Sequence, residues 1–371
     1  MSSTAYTALA GAGPVRETRP RIQGSAPNIA QSYSAVSRVV KESGLLRRAR
    51  WFYALVGSGL TVALVATGFG IWLLGDSWFQ LLMAAALGII FTQFAFLAHE
   101  ASHRQILKSG PNNDRLGRFL ATFVVGMSYA WWMTKHTRHH ANPNQIGRDP
   151  DIEIDTISFI EEDAASAKGL RALITRKQGY AFFPLLLLEG VNLHFISIRT
   201  LVSRAPVKGR WIELTSIALR FALYLGVLFW FLPLGMAFAF LGVQLAVFGL
   251  YMGASFAPNH KGMPIIAKDA KVDFFSKQVL TSRNIKGRVW ASTLMGGLNY
   301  QVEHHLFPNM PRPYLARASE IVREYCKTLD VPYTETTLIR SYGIVIEYLN
   351  RVGLSARDPF DCPLVGQFRR V

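Results

Sequence analysis

The chain has 371 residues, half of them hydrophobic, and a formal net charge of +16 at pH 7. This length fits one sizeable domain or two small ones. Its two cysteines, Cys326 and Cys362, belong to no CxxC pair, so we expect no disulfide framework.

The chain begins with a segment rich in Ser, Ala, Gly and Pro. It has no apolar core of the kind found in a cleaved signal peptide, so we expect a disordered tail over residues 1–33. Residues 34–50 mix valine and leucine with lysine and arginine. This pattern predicts an amphipathic helix at the membrane interface that leads into the first span.

Three long stretches without Asp, Glu, Lys or Arg follow, and a helix needs about 20 apolar residues to cross a bilayer. The first two are each long enough for one span, and the third has room for two around a Pro-Leu-Gly turn. The sequence therefore predicts an all-α integral membrane protein with four transmembrane helices in two hairpins, at residues 51–75, 77–99, 213–232 and 236–258.

Two shorter apolar runs, residues 116–133 and 182–198, are ambiguous. The first contains a glycine, and the second is interrupted by Pro184, Glu189, Asn192 and His194. A carboxylate in the bilayer costs several kcal/mol, so we expect residues 182–198 to lie in the interface. A crossing by residues 116–133 would put His136 and His304 on opposite sides of the membrane, which a shared site forbids, so we expect an interfacial or re-entrant helix there.

The basic residues predict the orientation. The two short hairpin turns contain no Lys or Arg, so the positive-inside rule places both termini and the rest of the polar chain in the cytoplasm. We expect a multi-pass protein of the cell (inner) membrane. Residues 51–371 would form one membrane domain, with a helical cytosolic cap (104–210 and 260–353) and a C-terminal tail (354–371).

The positive charge would then face anionic lipid, an acidic electron donor or substrate phosphates. We expect no nucleic acid partner.

Seven of the nine histidines fall into three tight clusters near the cytosolic ends of predicted elements. On a helix, residues i, i+3 and i+4 share one face, so each cluster can direct its imidazoles at one point. Neutral imidazole is a common ligand of iron, zinc, copper and nickel. The sequence therefore predicts one site for two metal ions, whose candidate catalytic and metal-binding residues are His99, His103, His136, His139, His140, His304 and His305.

Two metal ions need about eight to ten donors, so further ligands are expected. His260 is well placed where the last span returns to the cytosol, and His194 is the remaining candidate. The amide of Gln301 could orient a ligand or a metal-bound water, or only form a hydrogen bond nearby, and we do not expect it to be a ligand. Metal-bound histidines usually donate their second nitrogen to a carboxylate or carbonyl. Neighbouring residues could serve this purpose: Glu100, Glu303, Asp149, Asp151 and Asn259.

The order and spacing of the clusters resemble those of the integral membrane fatty acid desaturases, whose three histidine boxes are HxxxH, HxxHH and, in one large branch, QxxHH. Here the boxes are residues 99–103, 136–140 and 301–305. The string Gln-Val-Glu-His-His-Leu-Phe-Pro is most similar to bacterial, including actinobacterial, acyl-CoA or acyl-lipid desaturases without a fused cytochrome b5 domain.

This resemblance implies two iron ions, O2 as co-substrate and an acyl chain as substrate, carried by CoA or by a membrane lipid. The sequence has no HPGG haem motif and no GxGxxG nucleotide fingerprint, so we expect no intrinsic haem or flavin. The electrons would come from a separate ferredoxin, cytochrome b5 or reductase.

Two alternatives remain at this point. A hydroxylase or ketolase of the same superfamily would share the boxes. A membrane metal transporter belongs to a different class, but transporters place their ligands near the bilayer midplane, where this chain has no histidine.

One further feature concerns the last span, where Gly242, Gly249 and Gly253 share a helix face. They predict either the floor of an acyl tunnel or a close helix–helix contact through the small-xxx-small pattern.

Overall fold

The computed structural model describes residues 32–153 and 156–355, and this part of the chain is mostly helical. All but the last two residues of the predicted N-terminal tail lie outside the described residues, as does the C-terminal tail beyond residue 355. Cys362 is therefore also outside. The described residues form fifteen α-helices and one short parallel pair of strands, which agrees with the predicted all-α class.

The first half of the described chain contains two long apolar helices, the second of which carries the first histidine box. A broken segment and the helix of the second box follow. The α-helices are α1 Ser32–Glu42, α2 Arg50–Leu74, α3 Gln80–Ser102, α4 Gly110–Phe119, α5 Tyr129–Ala141, α6 Glu161–Ala165 and α7 Gly169–Thr175.

The second half begins with three long helices and ends in the cap. Its α-helices are α8 Gln178–Val202, α9 Arg210–Phe231, α10 Leu234–His260, α11 Phe274–Leu280, α12 Arg288–Leu294, α13 Gln301–Leu306, α14 Leu315–Thr328 and α15 Leu338–Ser355. The strands β1 (Asn284–Ile285) and β2 (Glu335–Thr336) pair in parallel.

Among the described residues, five helices are long and apolar enough to cross a membrane: α2, α3, α8, α9 and α10. Four of them coincide with the predicted spans to within a few residues. The fifth, α8, extends the run that was predicted to lie in the interface into a continuous helix of 25 residues.

The apolar run 116–133 does not form one helix. Its chain passes from α4 into a π-helical turn, Leu120–Val125, and breaks at Gly126, whose φ of 98° is left-handed. Ser128 then caps a new helix, α5, by accepting a hydrogen bond from the backbone N–H of Trp131. The break divides the run into short elements, none of which is among the described helices that are long and apolar enough to cross a membrane.

The helices that carry the site pack closely. Helix α10 lies against both α3 and α8. At the α3 contact, a Cβ added to Gly88 would lie 2.8 Å from the backbone oxygen of Gln244, so only glycine permits this approach. The close contact fixes the ends of α3 and α10 side by side, which is where their histidines lie.

The cap has its own hydrophobic core. The apolar face of α1, with Val36 and Val40 fully buried, packs with Val302, Leu306 and Val322 of the cap. Helix α1 ends at Glu42, eight residues before the predicted boundary, and its buried face contacts protein where a membrane contact was expected.

Candidate metal centre and substrate cavity

Four segments supply the histidines of the candidate metal centre. The C-terminal end of α3 carries His99 and His103, and α10 ends at His260. The second box lies on α5 and the third on the short helix α13. The second and third boxes are helical, and the first ends at His103, the C-cap of α3. The helical spacing places the imidazoles of a box on neighbouring positions of one side, as expected.

The imidazoles converge in two groups. Each member offers one ring nitrogen, and within a group these nitrogens all lie within 4.8 Å of one another. The first group is His99, His103, His136, His140 and His304, and the second is His139, His260 and His305.

The two groups adjoin each other. The ring of His140 stacks on that of His305 with ring centroids 4.2 Å apart and planes at 8°. The candidate site therefore consists of two adjoining groups of imidazoles, which together contain all seven box histidines and His260.

The donor set fits metal ions. Nitrogens that bind one ion at about 2.0–2.1 Å lie roughly 3 Å apart, and the Nε2 atoms of His103 and His136 are 2.7 Å apart, those of His139 and His260 3.3 Å. Among the described residues, both ring nitrogens of His140 and the Nε2 atoms of His304 and His305 are buried without a hydrogen bond. Buried polar atoms are rarely left unpaired, so these nitrogens are suited to metal ligation.

The protonation state also suits ligation. Burial lowers the pKa of His103 to about 3. Burial and neighbouring imidazoles lower the pKa of His140, His304 and His305 well below the usual value. These rings are therefore neutral at pH 7, and neutral imidazole is the form that binds metal.

The second ring nitrogen is fixed in all three members of the second group. The Nδ1 atoms of His260, His305 and His139 lie 2.9 Å from Thr281 O, 2.8 Å from Gln278 Oε1 and 3.0 Å from Asp149 Oδ1. Donation from Nδ1 to a carbonyl or amide oxygen leaves the Nε2 atoms of His260 and His305 unprotonated and directed toward the group. Burial lowers the pKa of His139, but the carboxylates of Asp149 and Asp151 outweigh it and raise that pKa above its usual value.

Asp149 was a candidate from the sequence, whereas Gln278 and Thr281 were not. Neither has any local pattern that could have indicated its role.

The other neighbouring candidates have different partners. Glu100 pairs with the guanidinium of Arg312 through two contacts, of 2.8 and 2.6 Å, and Glu303 accepts hydrogen bonds from Asn284 and Tyr333. These carboxylates tie the box helices to the cap.

Asp151 lies 3.4 Å from His139 Nδ1 and 2.9 Å from Lys135. It therefore links the second box to the cavity described below.

Gln301 lies where the sequence predicted an orienting amide. Its Nε2 is 2.8 Å from His260 Nε2, and its Oε1 accepts a hydrogen bond from Asn259. Gln301 thus contacts the second group through His260, and Asn259 holds the Gln301 amide.

His194 is not brought to either group. Its Nδ1 and Nε2 lie 2.6 and 3.2 Å from the backbone oxygens of Gly190 and Val125. His194 therefore belongs to neither group, and its ring lies near those of Phe221 and Phe248 instead.

A cavity of about 480 Å³ opens beside the histidines, and His136, His139 and His260 form part of its wall. Its apolar part lies between α5, α8 and α10, and includes Trp131, Trp132, Phe182, Leu185, Leu186, Leu193, Met252, Gly253 and Phe256. Its polar part includes Lys135, Asp151, Glu153, Glu189, Asn192 and Lys261. Such a cavity can hold an apolar chain beside the metal centre.

The glycines of α10 divide between the two predicted roles. Gly253 lines the cavity. Gly249 instead packs on α8, where an added Cβ would lie 2.3 Å from the backbone nitrogen of Gly190. The tunnel-floor assignment is therefore wrong for Gly249, because another helix backbone occupies the space beside it.

Comparison with known proteins identifies the family of this chain. The family model described as fatty acid desaturase matches residues 76–337, more than two thirds of the chain. The chain belongs to this family of membrane-associated oxidoreductases, and is a fatty acid desaturase.

The individual relatives below are less than 30% identical to this chain, but the similarity extends over most of it. A Delta(8)-fatty-acid desaturase of Helianthus annuus is 29% identical over 81% of this chain and 68% of its own length. The Delta(6)-fatty-acid desaturase fat-3 of Caenorhabditis elegans is 28% identical over 87% and 75%. A Delta 8-(E)-sphingolipid desaturase of Emericella nidulans is 25% identical over 90% and 64%.

Proposed function

We propose that the protein is an O2-dependent membrane desaturase that introduces a double bond into a long acyl chain, using two iron ions and external electrons. The observation that carries this proposal is the position of His136, His139 and His260, which belong to the two histidine groups and also line the cavity. A chain in that cavity would have its methylene groups beside the metal centre.

The reaction balances as follows. The substrate loses two hydrogens from adjacent methylene carbons, and a carbon–carbon double bond forms. O2 takes up these two hydrogens, two electrons and two protons, and gives two molecules of water. Iron, when bound, supplies the oxidising power that an unactivated carbon–hydrogen bond requires, which protein side chains lack.

The chain's own residues would hold the ions and position the acyl chain. His99, His103, His136, His140 and His304 would hold one ion, and His139, His260 and His305 the other. Gln278, Thr281 and Asp149 hold the second group of imidazoles in place. The aromatic and aliphatic wall excludes water from the acyl chain and keeps it in one orientation.

The electrons would come from a separate ferredoxin, cytochrome b5 or reductase. The charge of +16 favours an acidic donor, because complementary charge speeds association. The relatives named above act on fatty acids or a sphingolipid. An acyl-CoA and an acyl-lipid are both compatible with the cavity.

For the topology we propose four crossings, with α2, α3, α9 and α10 as the spans. Helices α3 and α10 both end at the histidine groups, so an even number of crossings must separate these ends. Helix α8 starts on the same side, since the backbone N–H of Gly179 donates to Asn350 of the cap. A full crossing by α8 would put His260 on the opposite face from His99, so we place α8 as an inclined helix that does not cross.

Both termini would then lie in the cytoplasm of a cell whose inner membrane holds the protein. The basic residues favour this orientation.

The deciding experiment is gas chromatography of fatty acid methyl esters from a host that expresses the chain. We expect a new unsaturated product, and its loss in His→Ala variants at each of the eight grouped positions, since each removes a ligand. His194→Gln is the matched control, because His194 lies outside both groups, and it should keep the product. Wild-type activity in two or more of the eight variants would contradict the shared metal centre.

A further inference from the structure

A second, small pocket of about 30 Å³ lies beside His99 of the first histidine group. It is bounded by α3, α5 and α10 and by the broken segment that precedes α5. Its wall is mainly apolar and includes Ala95, Phe96, Ala98, Ala121 and Val125. Phe96, Ala98, His99 and Val125 are at most 5% exposed, so protein side chains enclose most of this space.

The small pocket is separate from the larger cavity that was described above. Four side chains line both spaces and so form the partition between them: Met127, Trp132, Met252 and Phe256. The larger cavity meets the first histidine group at His136, whereas the small pocket meets it at His99. The Nε2 atoms of these two histidines are 3.1 Å apart. Two separate spaces therefore reach the same histidine group through different histidines.

The volume of the small pocket limits what it can bind. One water molecule needs about 10–15 Å³ of such a space, so the 30 Å³ pocket has room for about two atoms of that size. An acyl chain therefore cannot enter it, whereas a diatomic molecule fits.

The wall of the pocket favours an apolar ligand over water. A buried water usually forms two to four hydrogen bonds with polar groups. The hydroxyls of Ser128 and Tyr129 on the wall are already engaged, since they donate to Glu213 and Asp114. Apolar cavities stay free of water and bind apolar ligands such as xenon.

We propose that this pocket binds O2 and delivers it to the first histidine group at His99. O2 is small and apolar, so it matches both the volume and the wall. An acyl chain can stay in the larger cavity at His136 while O2 arrives from the small pocket, because the partition separates the two spaces. The geometry defines a site for a small apolar gas, and the identification of that gas as O2 rests on the proposed function.

The test uses xenon, which binds in apolar cavities and can be located by anomalous diffraction. Crystals of the full chain are held under xenon gas, and no turnover is needed. We expect a xenon peak in the wild type between Ala95, Ala121 and His99. Ala95→Val and Ala121→Val each add two methyl groups to the wall, so both should lose the peak, and either variant suffices if the other does not fold.

Ala86→Val is the matched control, because Ala86 is half-buried on the same helix as Ala95 and lies outside the pocket. This variant should keep the xenon peak. An empty or water-filled pocket in the xenon-treated wild type would overturn the proposal, as would a peak that persists in the folded Ala95→Val and Ala121→Val variants.

The O2 dependence of turnover then tests the delivery of O2. Ala95→Val and Ala121→Val should raise the KM for O2 by about fivefold or more, because the added methyl groups overpack the site, and should leave the KM for the acyl substrate unchanged. An unchanged KM for O2, or an equal rise in both constants, would contradict the delivery of O2 through this pocket. A xenon site in a chain that forms no desaturated product would refute the proposed function and leave the gas pocket intact.

Discussion

The contact between Gly249 of α10 and Gly190 of α8 gives a sharp test of how the membrane helices pack. A Cβ at residue 249 would lie 2.3 Å from Gly190 N and 2.6 Å from Leu186 O, whereas ordinary contacts begin near 3.4 Å. Both atoms belong to a helix backbone, so α8 must move away by about 1 Å. Such overpacking costs about 1–3 kcal/mol. We therefore expect Gly249→Ala to destabilise the protein.

Gly242 provides the matched control on the same helix, since its Cβ would meet no atom within 4 Å. Gly242→Ala should be neutral or stabilise by up to about 1 kcal/mol, because alanine restricts the unfolded chain. The assay is thermal unfolding of both variants in one detergent, together with products from a series of acyl lengths. Gly249→Ala should unfold at the lower temperature and lose yield at all lengths alike.

Equal stability of the two variants would refute the close contact. A shift of Gly249→Ala toward shorter substrates, with full activity on those, would instead support the tunnel-floor role that the structure rejects for this residue.

Three further predictions concern the buried ion pair, the histidine support and the topology. Glu100→Gln should lower the free energy of unfolding by about 3–5 kcal/mol, because it leaves the Arg312 guanidinium buried without its carboxylate. The control Glu320→Gln, in an exposed pair, should lower it by at most about 1 kcal/mol. Equal effects of the two variants in thermal unfolding would contradict the reasoning. Asp149→Asn should lower iron retention about 10- to 100-fold in competition with a chelator, because a neutral amide replaces the buried carboxylate that accepts from His139 Nδ1. The control Asp163→Asn should retain iron. Unchanged retention in Asp149→Asn would show that Asp149 does not support His139. Reporters fused after residues 75 and 234 should lie outside the cytoplasm and those after residues 168 and 277 inside it, and a cytoplasmic signal at residue 75 would overturn the two hairpins.

The sequence by itself determined the features that depend on neighbours along the chain. Box spacing placed the imidazoles on one helix face, and the apolar runs indicated the four proposed spans. His260 could be named because it ends a predicted span. These features depend on residues that are close in the sequence, so they can be predicted without knowing how the rest of the chain folds.

The tertiary structure decided which distant residues meet. Arg312 pairs with Glu100 across 212 positions of sequence, and Gln278 supports His305 from another element. His194 and His260 have the same chemistry, yet only His260 joins a group, because α10 ends beside α3 while His194 lies on α8 against Val125.

Gly249 shows the same limit, since a small residue on an apolar helix suits either a tunnel or a helix contact. Only the packed position of α8 distinguishes the two. Local pattern determines what a residue can do, and long-range packing, which depends on the whole chain, determines which of these possibilities is used.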